Sequence, residues 1–157
     1  MTLETGDKAP ACDLPTDGGG RVSLADLKGK TVVLYFYPKA DTPGCTTEAQ
    51  DFSALSAEFA GASAVVIGVS RDPVKKLDRF KAKHDLTVIL GSDEDGTVCE
   101  AFGTWIEKSM YGRQYMGIER ATFLIDGQGV IRQIWHGVKV KAHAEAVLEV
   151  ATTLKGS

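Results

Sequence analysis

Long apolar runs, an excess of charge of one sign and closely paired cysteines are all missing from this sequence of 157 residues. The longest purely apolar stretch runs only from Val32 to Tyr37, far short of the roughly 18 residues or more that span a bilayer. The opening residues, MTLETGD, have neither a basic start nor an apolar segment. No signal peptide is therefore expected, and the protein is placed in the cytoplasm. Lys and Arg number 18 against 21 Asp and Glu, a formal charge of −3. Such a balance lacks the basic excess on which nucleic-acid and membrane-surface binders depend. No internal repeat is visible, and no low-complexity stretch exceeds Gly18-Gly19-Gly20.

Cysteine is scarce. Cys12, Cys45 and Cys99 stand 33 and 54 residues apart, which excludes C-x-x-C and the usual structural zinc spacings. An odd count without an export signal also argues against a disulfide framework, so any cysteine chemistry is that of one thiol. His84, His136 and His143 are scattered, and no metal site is expected. The segment from Asp93 to Gly96 fails as a calcium loop, because Gly91 and Phe102 would occupy its first and twelfth positions. The stretch from Gly68 to Asp72 fails as a G-x-S-x-G elbow at its last residue. With no dinucleotide or P-loop glycine pattern either, no cofactor is implied.

What is present is an ordinary globular composition, 43% hydrophobic and 25% charged, at a length expected of one domain covering residues 1–157. Two short extended segments, 11–14 and 21–24, flank the glycine cluster and predict an N-terminal hairpin. The run TVVLYFY from Thr31 to Tyr37 does not alternate, the pattern of a strand covered on both faces. Ala49, Phe52, Leu55 and Phe59 recur at helical spacing. A second buried strand is predicted over 64–69. Asp72 is then expected as an N-cap, with Pro73 at the first helical position and Val74, Leu77, Phe80 and His84 forming a stripe.

Farther on, a short strand is expected over 86–90 and a short helix over 95–102. Residues 103–119 show no period and predict a long ordered loop. Segments 121–125 and 130–135 flank Asp126-Gly-Gln-Gly129, an antiparallel hairpin signal. Val140, Ala144, Val147, Leu148, Ala151 and Leu154 mark a closing helix. The order predicts an α/β protein, a mixed central sheet with helices on both faces, in the thioredoxin-like arrangement with an N-terminal hairpin extension.

Chemistry concentrates between Pro38 and Glu48, where a buried strand passes into a helix, a usual ligand position in α/β sheets. With Thr42 at the N-cap, Pro43 falls at N1 and Cys45 at N3. A sulfur there meets unsatisfied N–H groups and the positive end of the helix dipole, both of which favour thiolate, the reactive form. The same N–H groups can hold a ligand oxygen beside the sulfur.

Pro38-x-x-x-Thr42-x-x-Cys45, with Gly44 and Glu48, resembles the peroxidatic-cysteine signature of peroxiredoxins. Gly6-Asp7-x-Ala9-Pro10, Gly103-x-Trp105 and the segment from Arg120 to Asp126 extend the resemblance over essentially the whole chain, toward the bacterioferritin-comigratory, or Q-type, branch. The resemblance implies reduction of hydroperoxides. Cys45 would attack the terminal oxygen and become a sulfenic acid. Thr42 would place its hydroxyl on the peroxide, Pro38 would shield the sulfur from water, and Arg120 would stabilise thiolate and developing charge. Glu48 would either orient Arg120 or simply favour the first helical turn.

Q-type relatives commonly carry a resolving cysteine five residues after the peroxidatic one, where this chain has Gln50, or in the next helix, where residues 74–84 have none. Cys99 is left as a candidate resolver, on an apolar stripe expected to turn it toward the core, and Cys12 reads as a packing residue. This departure from the family pattern leads to the expectation of recycling by an external thiol (a thioredoxin, a glutaredoxin or a small thiol), and the chain is expected to be a monomer. Two other readings share the fold. A disulfide oxidoreductase needs the missing C-x-x-C, and a non-catalytic binding or holdase module would consume no peroxide.

Overall fold

Non-alternating apolar runs supply the centre of the molecule. The computed structural model describes residues 3–155; Met1 and Thr2, on which part of the N-terminal reading rests, lie outside them. β3 (Thr31–Phe36) is buried from Val32 onward, as is most of β4 (Ala64–Ser70). They pair in parallel, and β4 pairs in parallel with β5 (Ile89–Ser92). On the other side β3 runs antiparallel to β8 (Ala121–Ile125), which turns back into β9 (Ile131–Trp135). The five-stranded order is β5-β4-β3-β8-β9, the expected mixed thioredoxin-like sheet.

Strand alternation divides the core in two. Val33, Tyr35 and Tyr37 point into a cluster with Ala49, Phe52, Phe59, Leu77, Phe80 and Val147. These come from α1 (Pro43–Ala54), α2 (Ser56–Gly61), α3 (Val74–His84) and α5 (His143–Lys155). Val32, Leu34 and Phe36 point the other way, toward Leu14, Val22, Val98, Cys99 and Phe123. That face is covered by the expected hairpin of β1 (Asp13–Pro15) and β2 (Arg21–Ser23) and by the short α4 (Thr97–Ala101). Helices lie on both faces, but of the five α-helices among the described residues four share one.

Several expectations are corrected. Residues 103–119 are not a loop but a hairpin, β6 (Trp105–Met110) and β7 (Arg113–Ile118), paired in register from Trp105↔Ile118 to Met110↔Arg113. Its turn residues Tyr111 and Gly112 both have positive φ, 53° and 77°, as a tight two-residue hairpin requires. Much of the hairpin is solvent-exposed, so no alternation betrays it. Pro73, not Asp72, is the N-cap of α3, and Asp72 turns inward. The helix expected through Phe59 breaks at Leu55, β5 starts at Ile89 rather than 86, and Val140 precedes α5.

Candidate active site

The loop leaving β3 is pinned from two sides. Asp72, just past β4, accepts the Ala40 N–H at 2.8 Å and the Ser70 hydroxyl at 2.7 Å through Oδ2. Its Oδ1 meets Lys76 Nζ at 3.3 Å, and its carbonyl accepts the Ser92 hydroxyl at 2.6 Å. On the outer side Asp41, at a left-handed φ of 63°, accepts His84 Nε2 at 2.8 Å and Lys83 Nζ at 2.9 Å. Those hydrogen bonds, His84's first, hold the Asp41 carboxyl below the ordinary carboxylate range. Asp72's anchoring role was not legible in the sequence: a carboxylate before a proline looks like a helix cap, and its contact with Ala40 crosses 32 residues.

Thr42 occupies the N-cap position with extended backbone, and Pro43 opens α1. Thr42 makes no side-chain cap; its hydroxyl donates instead to the Lys39 carbonyl at 2.8 Å. The first-turn N–H groups of Gly44 and Cys45 thus lack a capping side chain and remain available to an oxygen ligand. Cys45 falls at N3 as expected and is only 1% exposed. Pro38 and Thr42 are half-buried on the same loop.

Arg120 arrives from the residue before β8, whose Ala121 pairs with Phe36 at the end of β3. Its Nη2 lies 3.4 Å from Cys45 Sγ, and its Nη1 donates to Glu48 Oε1 at 2.7 Å. Burial opposes the guanidinium's charge, but Glu48 and Cys45 outweigh it and raise its pKa. Glu48 sits one helical turn beyond Cys45 and is 1% exposed, with no hydrogen-bond partner for Oε2 among the described residues. Burial pushes its carboxyl up to about 7 although Arg120 pulls the other way. Of the two readings of Glu48, the geometry is that of the residue orienting Arg120. Gly44 has its own reason: a Cβ there would stand 3.2 Å from Arg120 Nη2.

Cys12 and Cys99 are not part of this cluster. Both are buried in the core on the opposite face of the sheet from Cys45. Burial, with Asp93 next, pushes the Cys12 thiol up to about 12 and raises that of Cys99 as well. Asp93 also accepts the Cys99 N–H at 2.7 Å. Among the described residues no group of three or more His, Cys, Asp or Glu is placed to hold a metal ion. None of the described helices is long and apolar enough to cross a membrane.

A thioredoxin-like sheet that presents one thiol at a helix N-terminus, against an arginine held by a buried carboxylate, defines a thiol-dependent redox enzyme. A family model described as the AhpC/TSA family matches residues 5–134. Peroxiredoxin Bcp of Bacillus subtilis is 51% identical over 155 residues, 99% of this chain and 97% of that protein. A bacterioferritin comigratory protein of Xanthomonas campestris, solved in trapped intermediate/ligand complexes bearing on its alkyl peroxide reduction activity, shares 46% identity over 92% of both chains, with a TM-score of 0.87. PrxQ of Xylella fastidiosa gives a TM-score of 0.92 at 40% identity over 98% of both chains. The chain belongs to the AhpC/TSA family and, within it, to the peroxiredoxins of the Bcp, or Q, type. It is a thiol-dependent peroxidase, and the reading as a non-catalytic module is not favoured.

Proposed function

We propose that Cys45 is the peroxidatic nucleophile of a hydroperoxide reductase that has no internal resolving cysteine. The observation that carries this is the 3.4 Å contact of Arg120 Nη2 with a sulfur at the N-terminus of α1. The thiolate gives an electron pair to the terminal peroxide oxygen and the O–O bond breaks. That oxygen remains on sulfur as sulfenic acid, while the departing oxygen takes a proton from solvent and leaves as water or alcohol. Negative charge moves from sulfur toward the departing oxygen. Fixed donors on that path, from Arg120 and the first-turn N–H groups, stabilise the transition state more than the ground state.

The Thr42 hydroxyl proton is engaged by Lys39, which leaves its oxygen lone pairs to accept the peroxide hydrogen. Pro38 shields the sulfur, Glu48 fixes the guanidinium plane, and Gly44 lets Arg120 approach. The alkyl peroxide reduction activity of the Xanthomonas relative supports organic hydroperoxides as substrates beside hydrogen peroxide. An external thiol (a thioredoxin, a glutaredoxin or a small thiol) attacks the sulfenic sulfur and releases water. A second thiol then frees Cys45. The chain acts as a single thioredoxin-like domain, a monomer in the cytoplasm. The test is mass analysis after one equivalent of peroxide, with and without dimedone. A gain of one oxygen at Cys45, converted to the dimedone adduct, is expected; unmodified Cys45 overturns the assignment.

A further inference from the structure

The β6–β7 hairpin has a surface that the peroxidase chemistry does not use. Met110, Tyr111, Tyr115 and Met116 are exposed along it. Between the hairpin and the active-site loop lies a cleft of about 560 Å³ whose walls include Pro38, Lys39, Trp105, Lys108, Tyr115 and Met116. Pro38 belongs to both the cleft and the loop that leads to Cys45, so the cleft borders the active-site loop, and Lys108 lies within electrostatic reach of Cys45 and Arg120. Its apolar wall is Trp105, Tyr115 and Met116.

Lys108 is the unusual member. Its side chain is half-buried, yet among the described residues its ammonium has no hydrogen bond or ion pair. Two of the acids near it are otherwise committed. Asp72 is held by Ala40, Ser70 and Lys76, and Glu119 is taken by His136 and the Gly137 N–H. Glu94 also lines the cleft, where Arg71, whose guanidinium lies 4.5 Å over Trp105, donates to its backbone carbonyl and not to its carboxylate. Arg120 adds a like charge toward the thiol, and burial together with that charge lowers the Lys108 pKa.

The lysine is held in place by a missing side chain. Lys108 lies diagonally across the hairpin from Gly117, and a Cβ at Gly117 would stand 3.3 Å from Lys108 Cδ and 3.6 Å from Cε. The aliphatic stem therefore lies across the glycine, which gives a lysine a defined position at the cleft. A half-desolvated cation beside an aromatic wall, in a chain of net charge −3, is a local inversion of sign that favours an anion.

We propose that Lys108 is a specificity-determining residue, selecting organic hydroperoxides that carry a negatively charged group. Their apolar body lies against Trp105, Tyr115 and Met116, and their anion sits at the Lys108 ammonium. This rests on the peroxidase reading of Cys45 and names the substrate class that reading favours.

The test compares cumene hydroperoxide with its para-carboxylate analogue, using the full chain, a small thiol as reductant and hydrogen peroxide as a third substrate. At low salt the ratio of kcat/KM, carboxylate over neutral, is expected to be about 3- to 10-fold, shrinking as ionic strength rises. Lys108→Gln brings the ratio near one, Lys108→Glu reverses it and Lys108→Arg retains it. Gly117→Val, which fills the lane of the stem, lowers the ratio without removing the charge. Wild-type protein that consumes all three peroxides, at a ratio indifferent to salt and to both Lys108→Gln and Lys108→Glu, overturns this inference alone. Wild-type protein that consumes none overturns the peroxidase site, and the inference with it.

Discussion

Arg120 meets Glu48 at 2.7 Å through Nη1 while its other terminal nitrogen, Nη2, stands 3.4 Å from the Cys45 sulfur. The planar guanidinium thus turns one helical step, Cys45 to Glu48, into a rigid three-residue unit. Arg120 arrives from a strand 75 residues away in sequence from Cys45, so helix position and sheet register must both be right for the site to exist. A lysine in its place would present one point charge and could not serve both partners in a fixed plane.

On the proposed mechanism, Arg120 is expected to be the most sensitive residue after Cys45. Arg120→Ala is expected to slow peroxide attack by about 10²–10³-fold, and Arg120→Lys by less. Gly44→Ala, by crowding Nη2, should reproduce part of the loss without removing charge. Stopped-flow measurement of Cys45 oxidation checks this. Rates unchanged in Arg120→Ala would remove Arg120 from the site.

Cysteine substitutions separate chemistry from packing. Cys45→Ser should abolish turnover, whereas Cys12→Ser, in the core on the other face of the sheet, should retain most of it and lose stability of about 1 kcal/mol. Coupled reductant oxidation and urea unfolding measure the two effects. Turnover surviving in Cys45→Ser would contradict the mechanism.

Glu48 links the site to pH. Its folded-state pKa of about 7 lies above the ordinary 4.5, so the folded protein holds this proton more tightly than the unfolded chain. The stability this confers is complete below about pH 4.5 and disappears as pH rises through about 7. Glu48→Gln should therefore remove a downward slope between these values. His143, whose pKa burial lowers to about 4, contributes the opposite slope, with stability lost as pH falls through that value. It is present in both proteins and cancels in their comparison. Parallel pH dependence of urea stability in the two proteins would show that Glu48 is not proton-linked.

Much of this was legible because the signals are local. Thr42 followed by Pro43 matches the preferences of an N-cap and a first helical position, and that spacing puts Cys45 at N3. The TVVLYFY run and the Asp126-Gly-Gln-Gly129 turn define the centre and edge of the sheet. The β6–β7 strands were not legible, since exposure on both faces erases the period-2 pattern. Nor was Asp72, whose use is tertiary, or the diagonal contact of Lys108 with Gly117, which exists only once the hairpin register is set.

Packing beneath the site gives a prediction about the fold. Gly68 lies directly across from Tyr35, and a Cβ there would come within 2.6 Å of the Tyr35 ring. The ring is fully buried and stacks on Phe52 at 4.7 Å, so it has little room to yield. Gly68→Ala should cost about 1–3 kcal/mol. Tyr35→Phe should be neutral or stabilising, because the hydroxyl it removes is buried without a partner. Urea midpoints measure both, and a stable Gly68→Ala protein would show that the two strands separate more easily than their register suggests.

The last prediction concerns recycling. A disulfide needs Cα atoms within about 7 Å and side chains that face each other. Cys45 packs on the helical face of the sheet, while Cys12 and Cys99 are buried on the opposite face. Reaching either would require that a second buried segment leave its core as well, not merely that the first turn of α1 unwind. The position five residues after Cys45 is Gln50, so no thiol rides on that turn. The sulfenic acid should then persist until an external thiol arrives, and excess peroxide should drive it readily to the sulfinic form. Dimedone added after stoichiometric oxidation should label Cys45 in most molecules, and non-reducing peptide mapping should show no internal disulfide. A dominant Cys45–Cys99 or Cys12–Cys45 peptide would mean that the segment carrying the second thiol unfolds locally during turnover. That result would replace the one-cysteine cycle and leave the attack on peroxide untouched.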